Sequence, residues 1–393
     1  MSGPLSSLKV LDFSTLLPGP FGTLVLADLG AEVLRVESPT RPDMIRMMPP
    51  FAQGQSAVHG YLNRSKRSLG IDLKKEGAKE LIFALVKDYD IVVEQFRPGV
   101  MARLGVGYEE LKKHNPRLIY CAITGYGQDG PYKDRAGHDL NYLALAGVGS
   151  YNGRASTGPA PMGLQVADIA GGSFHAVMAI LAAVIHRQQT GEGQMIDISM
   201  TDAAFGLHGL AAADALVANE NPAPESTMLN GGSFYDYYKT QDGGWLSVAG
   251  LEPQFLQRFC AAIGAPELAH HGATTAPAIV AQMKSKISTA IAAQPMAHWR
   301  AVFAEIDACV EPVLTVAEAA EHPQLQARGM VVEVADDAGG TQRQVASPFK
   351  FSATPPGYKH VGVPVGQHSI EVLQELGLTQ EEQEALFSNG VVH

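Results

Sequence analysis

The chain has 393 residues, 46% of them hydrophobic and 18% charged, with a formal net charge of −11. That length suits two domains, and so acidic a chain lacks the basic face that nucleic-acid phosphates require. No membrane span is expected, because the longest apolar run, 176–185, falls short of the ~18 residues a bilayer demands. The opening residues do not show the charged-then-apolar order of a secretion signal. Cys121, Cys260 and Cys309 are too far apart for a CxxC site and too few for a disulfide framework. They read as buried thiols of a cytoplasmic protein.

In chain order, LKVLDFS (8–14) reads as a strand, 21–30 as a helix stopped by Gly30, and 31–37 as a second strand. Residues 76–90 carry apolar side chains at helical spacing and feed a strand over 91–96; 117–124 is another strand. This alternation predicts an α/β fold with a parallel sheet and helices on both faces. A helix over 168–187 stopped by glycine, a strand over 194–200 and one helix over 201–218 follow. The Pro/Gly/Asn-rich 219–232 reads as a linker, and 233–250 as a hairpin around QDGG that opens a second domain. Short helices then run to about 310, helix and strand share 321–334, and one or two helices close the chain.

The first β-α-β unit imitates a dinucleotide site, down to Glu37 at the end of its second strand. Its loop fails the test. Gly19 and Gly22 are present, but Pro18 and Pro20 stiffen the turn and remove amide donors. No nicotinamide or flavin cofactor is therefore expected. Residues 61–113 are locally basic, with eleven Lys and Arg against eight Asp and Glu, and include RSKR (64–67). Arg97 directly follows a strand, at the end where parallel sheets bind ligands. Arg97 and Arg103 read as phosphate grips or as part of a solvated charged face.

Asp168 stands where a loop becomes a helix, as an N-cap would. Capping leaves Gly171 and Gly172 unexplained, since glycine weakens a helix by about 1 kcal/mol relative to alanine. A carbonyl held against helix-start amides would account for them. Glu252, before a proline, reads as a first-turn acid favoured by the helix dipole or as a functional carboxylate. His138, in RAGHDLNYLALAG (135–147), reads as a histidine that caps its helix or packs against it, or as an acid/base. His270 and His271 read as solvent-exposed, and no metal site is expected.

Together the pieces resemble the class III CoA-transferase family over nearly the whole chain. The resemblance rests on GPLSSLKVLDFSTLLPGPFGTLVLADLGAEVLRVE (3–37), FRPGVMARLGVG (96–107), ITGYGQDGPY (123–132), TGEGQMIDISM (190–200) and HPQLQARGM (322–330). AGHDLNYLALAG, MLNGG and GLEPQF look like its α-methylacyl-CoA racemase branch. The resemblance implies an interlocked homodimer whose chains each have a large Rossmann-like domain, residues 1–220 and 320–393. A smaller α+β domain lies at 221–319, and the active site forms between the large domain of one subunit and the small domain of the other.

The resemblance also implies that His138 and Asp168 form an acid/base pair and that Glu252 pairs with His138. Coenzyme A, as part of the substrate and not a separate cofactor, would meet Ile71, Asp72, Leu73, Lys74, Gln95, Phe96, Arg97 and Arg103. In the segment from Gly137 to Tyr142 it would meet Gly137, Asn141 and Tyr142. Two departures stand out. Asn230 replaces the usual Asp, and Ser38 the usual Arg, although Arg41 is close by.

The implied reaction suits these residue types. Inverting the α-carbon of a 2-methyl-branched acyl-CoA means removing a proton from one face and returning one to the other through an enolate. That requires two groups, each able to act as acid or base. Imidazole does so near neutrality, and a carboxylate such as Glu252 would orient it. Asp168 is expected to have its pKa raised by burial beside the acyl chain more than lowered by a helix start. Backbone amides near Asp168 are the expected enolate donors. The alternative is a CoA-transferase that moves CoA between carboxylic acids through an acyl-enzyme anhydride on Asp168. Such an enzyme has no need of His138 or Glu252. A non-catalytic acyl-CoA-binding protein would have no use for the acid/base trio.

Overall fold

The computed structural model describes residues 3–393. Its contacts gather into two compact units. The large unit comprises the chain through Ala146, Leu164–Leu207 and Gln324–His393; the other comprises Gly147–Gly163 and His208–Pro323. The second unit is thus wider than the 221–319 drawn from sequence, because 147–163 and 208–220 join it.

The large unit is built on six strands: β1 (Lys9–Asp12), β2 (Glu32–Glu37), β3 (Arg67–Gly70), β4 (Ile91–Glu94), β5 (Ile119–Thr124) and β6 (Met195–Ser199). Their order across the sheet is β3-β2-β1-β4-β5-β6, and every pairing is parallel. The order reverses between β1 and β4, the switch point beside which doubly wound sheets bind ligands. Strands buried on both faces need continuous apolar runs, and VL (10–11), IVV (91–93) and IYCAI (119–123) supply them.

Helices α1 (Pro18–Asp28), α2 (Ala78–Leu85) and α3 (Tyr108–His114) belong to the β-α-β crossovers. Further on, α4 (Asp139–Leu145) precedes a π-helical stretch, Ala167–Phe174, that runs into α5 (His175–Thr190); α6 (Met200–Gly206) follows β6. Gly191, at φ 82°, ends α5 where the sequence placed its stop.

The sequence reading of 201–218 as one helix is corrected. Gly209 sits at φ 46°, ψ −102°, outside helical space, and separates α6 from α7 (Leu210–Val217). β3 was missed because RSLG is short and embedded in charge. The short apolar run at 176–185 lies within a longer helix. The continuous helix Ala167–Thr190 has 24 residues and is long and apolar enough, by length and composition, to cross a membrane. A little under half of its most apolar stretch is buried, and the helix packs along α1, β5 and β6.

The smaller unit has a three-stranded antiparallel sheet, β7 (Asp236–Lys239), β8 (Trp245–Val248) and β9 (Val310–Pro312), with β8 central. The hairpin expected around QDGG is the β7–β8 turn. Helices α8 (Pro253–Ala262), α9 (Pro277–Ala292) and α10 (Met296–Glu305) close a core of Phe234, Leu246, Phe259, Met283 and Trp299. Arg154 ties 147–163 into this unit through Asp236 and Glu225. Asn230 holds the loop before β7 by accepting from Thr227 N–H and donating to the carbonyls of Ala223 and Tyr151. Cys121 and Cys260 are buried, but Cys309 is exposed, contrary to expectation. Its backbone carbonyl accepts from Ala249 N–H and leaves the side chain on the outside.

Candidate active site

A cavity of about 260 Å³ opens at the carboxyl ends of β1, β4 and β5, beside the switch point. Its wall brings together Gln95, Phe96, Arg97, Gly137, His138, Tyr142 and Asp168 of the residues expected from sequence. Lys133 and Arg135 line it as well, and the sequence reading did not single them out. The signal for them was present, because they lie in the Gly-rich loop between β5 and His138. Arg135 stacks on the Tyr132 ring at 3.9 Å.

Ile71, Asp72, Leu73, Lys74, Arg103 and Asn141 are outside this wall. Ile71 is a core residue whose N–H bonds to Glu37 C=O, and the N–H of Asp72 bonds to the carbonyl of Val391. Lys74 and Arg103 are exposed. Glu252 belongs to the smaller unit. It is the exposed N-cap of α8, and its carbonyl accepts the N–H groups of Phe255 and Leu256.

His138 is not packed into the core. It is exposed and N-caps α4 with extended backbone, and its own N–H donates to Asn141 Oδ1 at 3.0 Å. Of the two structural readings, packing is therefore excluded and capping is observed. Tyr142 of α4 is buried; its hydroxyl donates to Gly137 C=O, and its ring meets Tyr126 edge-on at 5.2 Å. Burial pushes its pKa up to about 12, with Asp168 adding to the effect, so it remains a neutral donor.

Asp168 sits in the first π-helical turn, not at the N-cap. Turns of this kind recur at functional sites. Burial pushes its carboxyl up to about 7, with Asp139 reinforcing the effect, and no hydrogen bond or cation offsets either cause. The direction is the one expected, and it holds before any acyl chain is bound. The expected enolate donors are another matter. The N–H groups of Ala167 and Asp168 both donate to Asp139 Oδ1, at 2.7 and 3.1 Å.

The two glycines also have a different explanation from the one proposed. A Cβ on Gly172 would stand 2.9 Å from Pro18 Cβ, and one on Gly171 would stand 3.2 Å from the Met200 carbonyl. They permit close packing of helices rather than approach of a ligand. The Ser173 hydroxyl adds a bond to Pro18 C=O.

The basic RSKR segment is not a solvated face. Arg64 pairs with Asp28 at 2.6 Å, and Lys66 donates to Asp12, Thr23, Asn63 and the carbonyl of Pro20; both cations are buried. Burial pulls Lys66 down to about 8 against the opposing pull of Asp12. Glu37, the would-be ribose ligand, is buried against Arg46 at 2.6 Å and Ser68. The N–H of Gly19 is taken by Gln95 Oε1 at 2.8 Å. Both groups thus have partners within the protein. Among the described residues no group of three or more His, Cys, Asp or Glu is gathered as a metal would require.

A parallel sheet with a charged cavity at its switch point, holding an imidazole and an unpaired carboxyl, defines an α/β enzyme of acid/base or acyl chemistry. A sequence profile of CoA-transferase family III matches residues 5–369, and the chain belongs to that family. It is 35% identical to the human alpha-methylacyl-CoA racemase over 99% of this chain and 97% of that one. It is also 35% identical to the acetyl-CoA:oxalate CoA-transferase of Acetobacter aceti, over 92% of each chain. A solved structure of a CAIB/BAIF family protein from Brucella suis superposes with a TM-score of 0.81 at 30% identity, covering 96% of this chain and 100% of that one. The protein is an enzyme of this family, either a racemase or a CoA-transferase.

Proposed function

We propose that the protein inverts the α-carbon of 2-methyl-branched acyl-CoA thioesters by two-base proton transfer. His138 and Asp168 face the carbon from opposite sides, and each serves as base for one epimer and acid for the other. The observation that carries this reading is the sharing of one cavity by an exposed imidazole and a carboxyl whose proton affinity lies near neutrality. A catalytic pKa close to the working pH maximises proton transfer in both directions. The racemase relatives support the same choice.

In this reading Arg97, Lys133 and Arg135 attract the phosphates of CoA, while Lys74, Arg103 and Asn141 meet its outer part. Glu252 orients the His138 imidazole from a partner subunit. Two observations support a homodimer. Helix α7, LAAADALV, has no buried residue, and in the large unit Leu140, Met178, Ile185 and Phe205 are all more than half exposed. Apolar helices are not left bare in stable monomers.

The transferase reading draws on relatives of equal closeness and on the unbonded Asp168 carboxyl, which suits a nucleophile. It leaves His138 without a task. One incubation separates the two: 2-methylbutanoyl-CoA in deuterated water with free succinate present. Deuterium at the α-carbon and no succinyl thioester supports the racemase. A new succinyl thioester without deuterium would refute it.

A further inference from the structure

Asp139 was given no role by its position after His138, yet it holds the start of the Asp168 helix. We propose that Asp139 is a positioning residue for Asp168: its carboxylate takes up the two amides that open that helix and stands beside them as a second negative charge. Its Oδ1 accepts from Ala167 N–H at 2.7 Å and from Asp168's own N–H at 3.1 Å.

Amides at a helix start normally favour a nearby carboxylate and lower its pKa. Here they are already bonded to a different carboxylate. Asp139 therefore acts twice in one direction, by withdrawing donors and by adding like charge. The Asp168 carboxyl keeps its proton to a higher pH, where a reversible proton transfer needs it. This rests on the reading that Asp168 is one of the two bases.

The other ionisable groups on the elements packed here do not offer the same control. On α4, Tyr142 is neutral and bonded to Gly137. His175, on Asp168's own helix, contacts Ala170 C=O through Nδ1. Asp28 of α1 is paired with Arg64, and Asp197 of β6 accepts from Gln128 N–H. Asp202 of α6 lies in the first turn capped by Ser199. His138, Arg97, Lys133 and Arg135 share the cavity but do not offset the rise in Asp168.

Asp139→Asn separates charge from capping, because the amide oxygen still accepts both N–H groups. Asp139→Ser is the second neutral cap, should the first variant fold poorly. The direct readout is a carboxyl-carbon NMR titration of Asp168 in the full-length protein, assigned with Asp168→Asn. The pH profile of α-deuterium exchange is the second readout.

In Asp139→Asn the Asp168 midpoint should fall by about one pH unit, and the acid limb of the exchange profile should move with it. In Asp139→Ala the midpoint should fall at least as far, because the freed amides then favour the ionised form. An unchanged Asp168 midpoint in Asp139→Asn would overturn the proposal. A midpoint that falls while the exchange profile stays in place supports the role of Asp139 and instead refutes Asp168 as a base.

Discussion

The large unit handles charge in two opposite ways. Beneath the sheet's first strands, Asp12, Asp28, Glu37, Arg64 and Lys66 are buried, and each has a partner of opposite charge. Burial drives Asp12 upward, but Lys66 and Arg35 more than offset it, so it stays ionised. At the cavity, Asp168 is also largely buried, yet the charge that acts on it is another carboxylate, Asp139. Compensated charge holds the fold in one arrangement. Uncompensated charge costs stability and keeps a proton exchangeable. The comparison shows why basic residues close together in sequence divide between structure and chemistry: Arg64 and Lys66 are locked away, whereas Arg97 lines the cavity.

The largest effect should come from the exchangeable side of this contrast. His138→Asn and Asp168→Asn should each reduce α-carbon inversion by about 10²–10⁴-fold, the usual value of a general acid or base. Polarimetry or chiral separation of the product acids reads this. Inversion within tenfold of the parent in either variant would erase the contrast.

The compensated side should respond in stability instead. Arg64→Met leaves Asp28 buried without its partner, which typically costs about 3–5 kcal/mol. Denaturant unfolding should show that loss, while the protein remaining folded keeps its KM for acyl-CoA. A raised KM with unchanged stability would contradict this and place Arg64 in substrate binding.

Asp168→Asn should also stabilise the protein, with a definite pH dependence. The folded carboxyl titrates at about 7 and the unfolded one near 4, so between those values only the unfolded chain ionises and the parent loses stability as pH rises. The variant escapes that loss. Allowing for the partial exposure of Asp168, it should gain on the order of 1–2 kcal/mol at pH 8 and nothing at pH 4. An equal gain at both values would point to packing rather than charge. The smallest effect is expected of Arg97→Ala, which should raise KM for acyl-CoA by about tenfold and leave kcat nearly unchanged, as loss of one exposed phosphate contact does.

Much of this was legible in the sequence, because β-α-β alternation and continuous apolar strands leave few alternatives to a doubly wound sheet. Arg97 was placed at the cavity for the same reason: it follows a strand of that sheet. What escaped were long-range pairings. Nothing near Arg64 in sequence announces Asp28, 36 residues away, and nothing near Asp139 announces the amides of 167 and 168. Gly171 and Gly172 were noticed correctly and explained wrongly, since their neighbours Pro18 and Met200 come from distant segments. Glu252 stood out in sequence as a first-turn acid before a proline, but its pairing with His138 came only through the family resemblance, because an exposed N-cap glutamate has no distinguishing local pattern.

The most direct test of two bases on opposite faces uses each pure epimer of a 2-methylacyl-CoA with His138→Asn and Asp168→Asn in deuterated water. One epimer should wash in deuterium with retained configuration in His138→Asn, and the other epimer should do so in Asp168→Asn. Exchange of the same epimer by both variants, or continued inversion by either, would contradict the account.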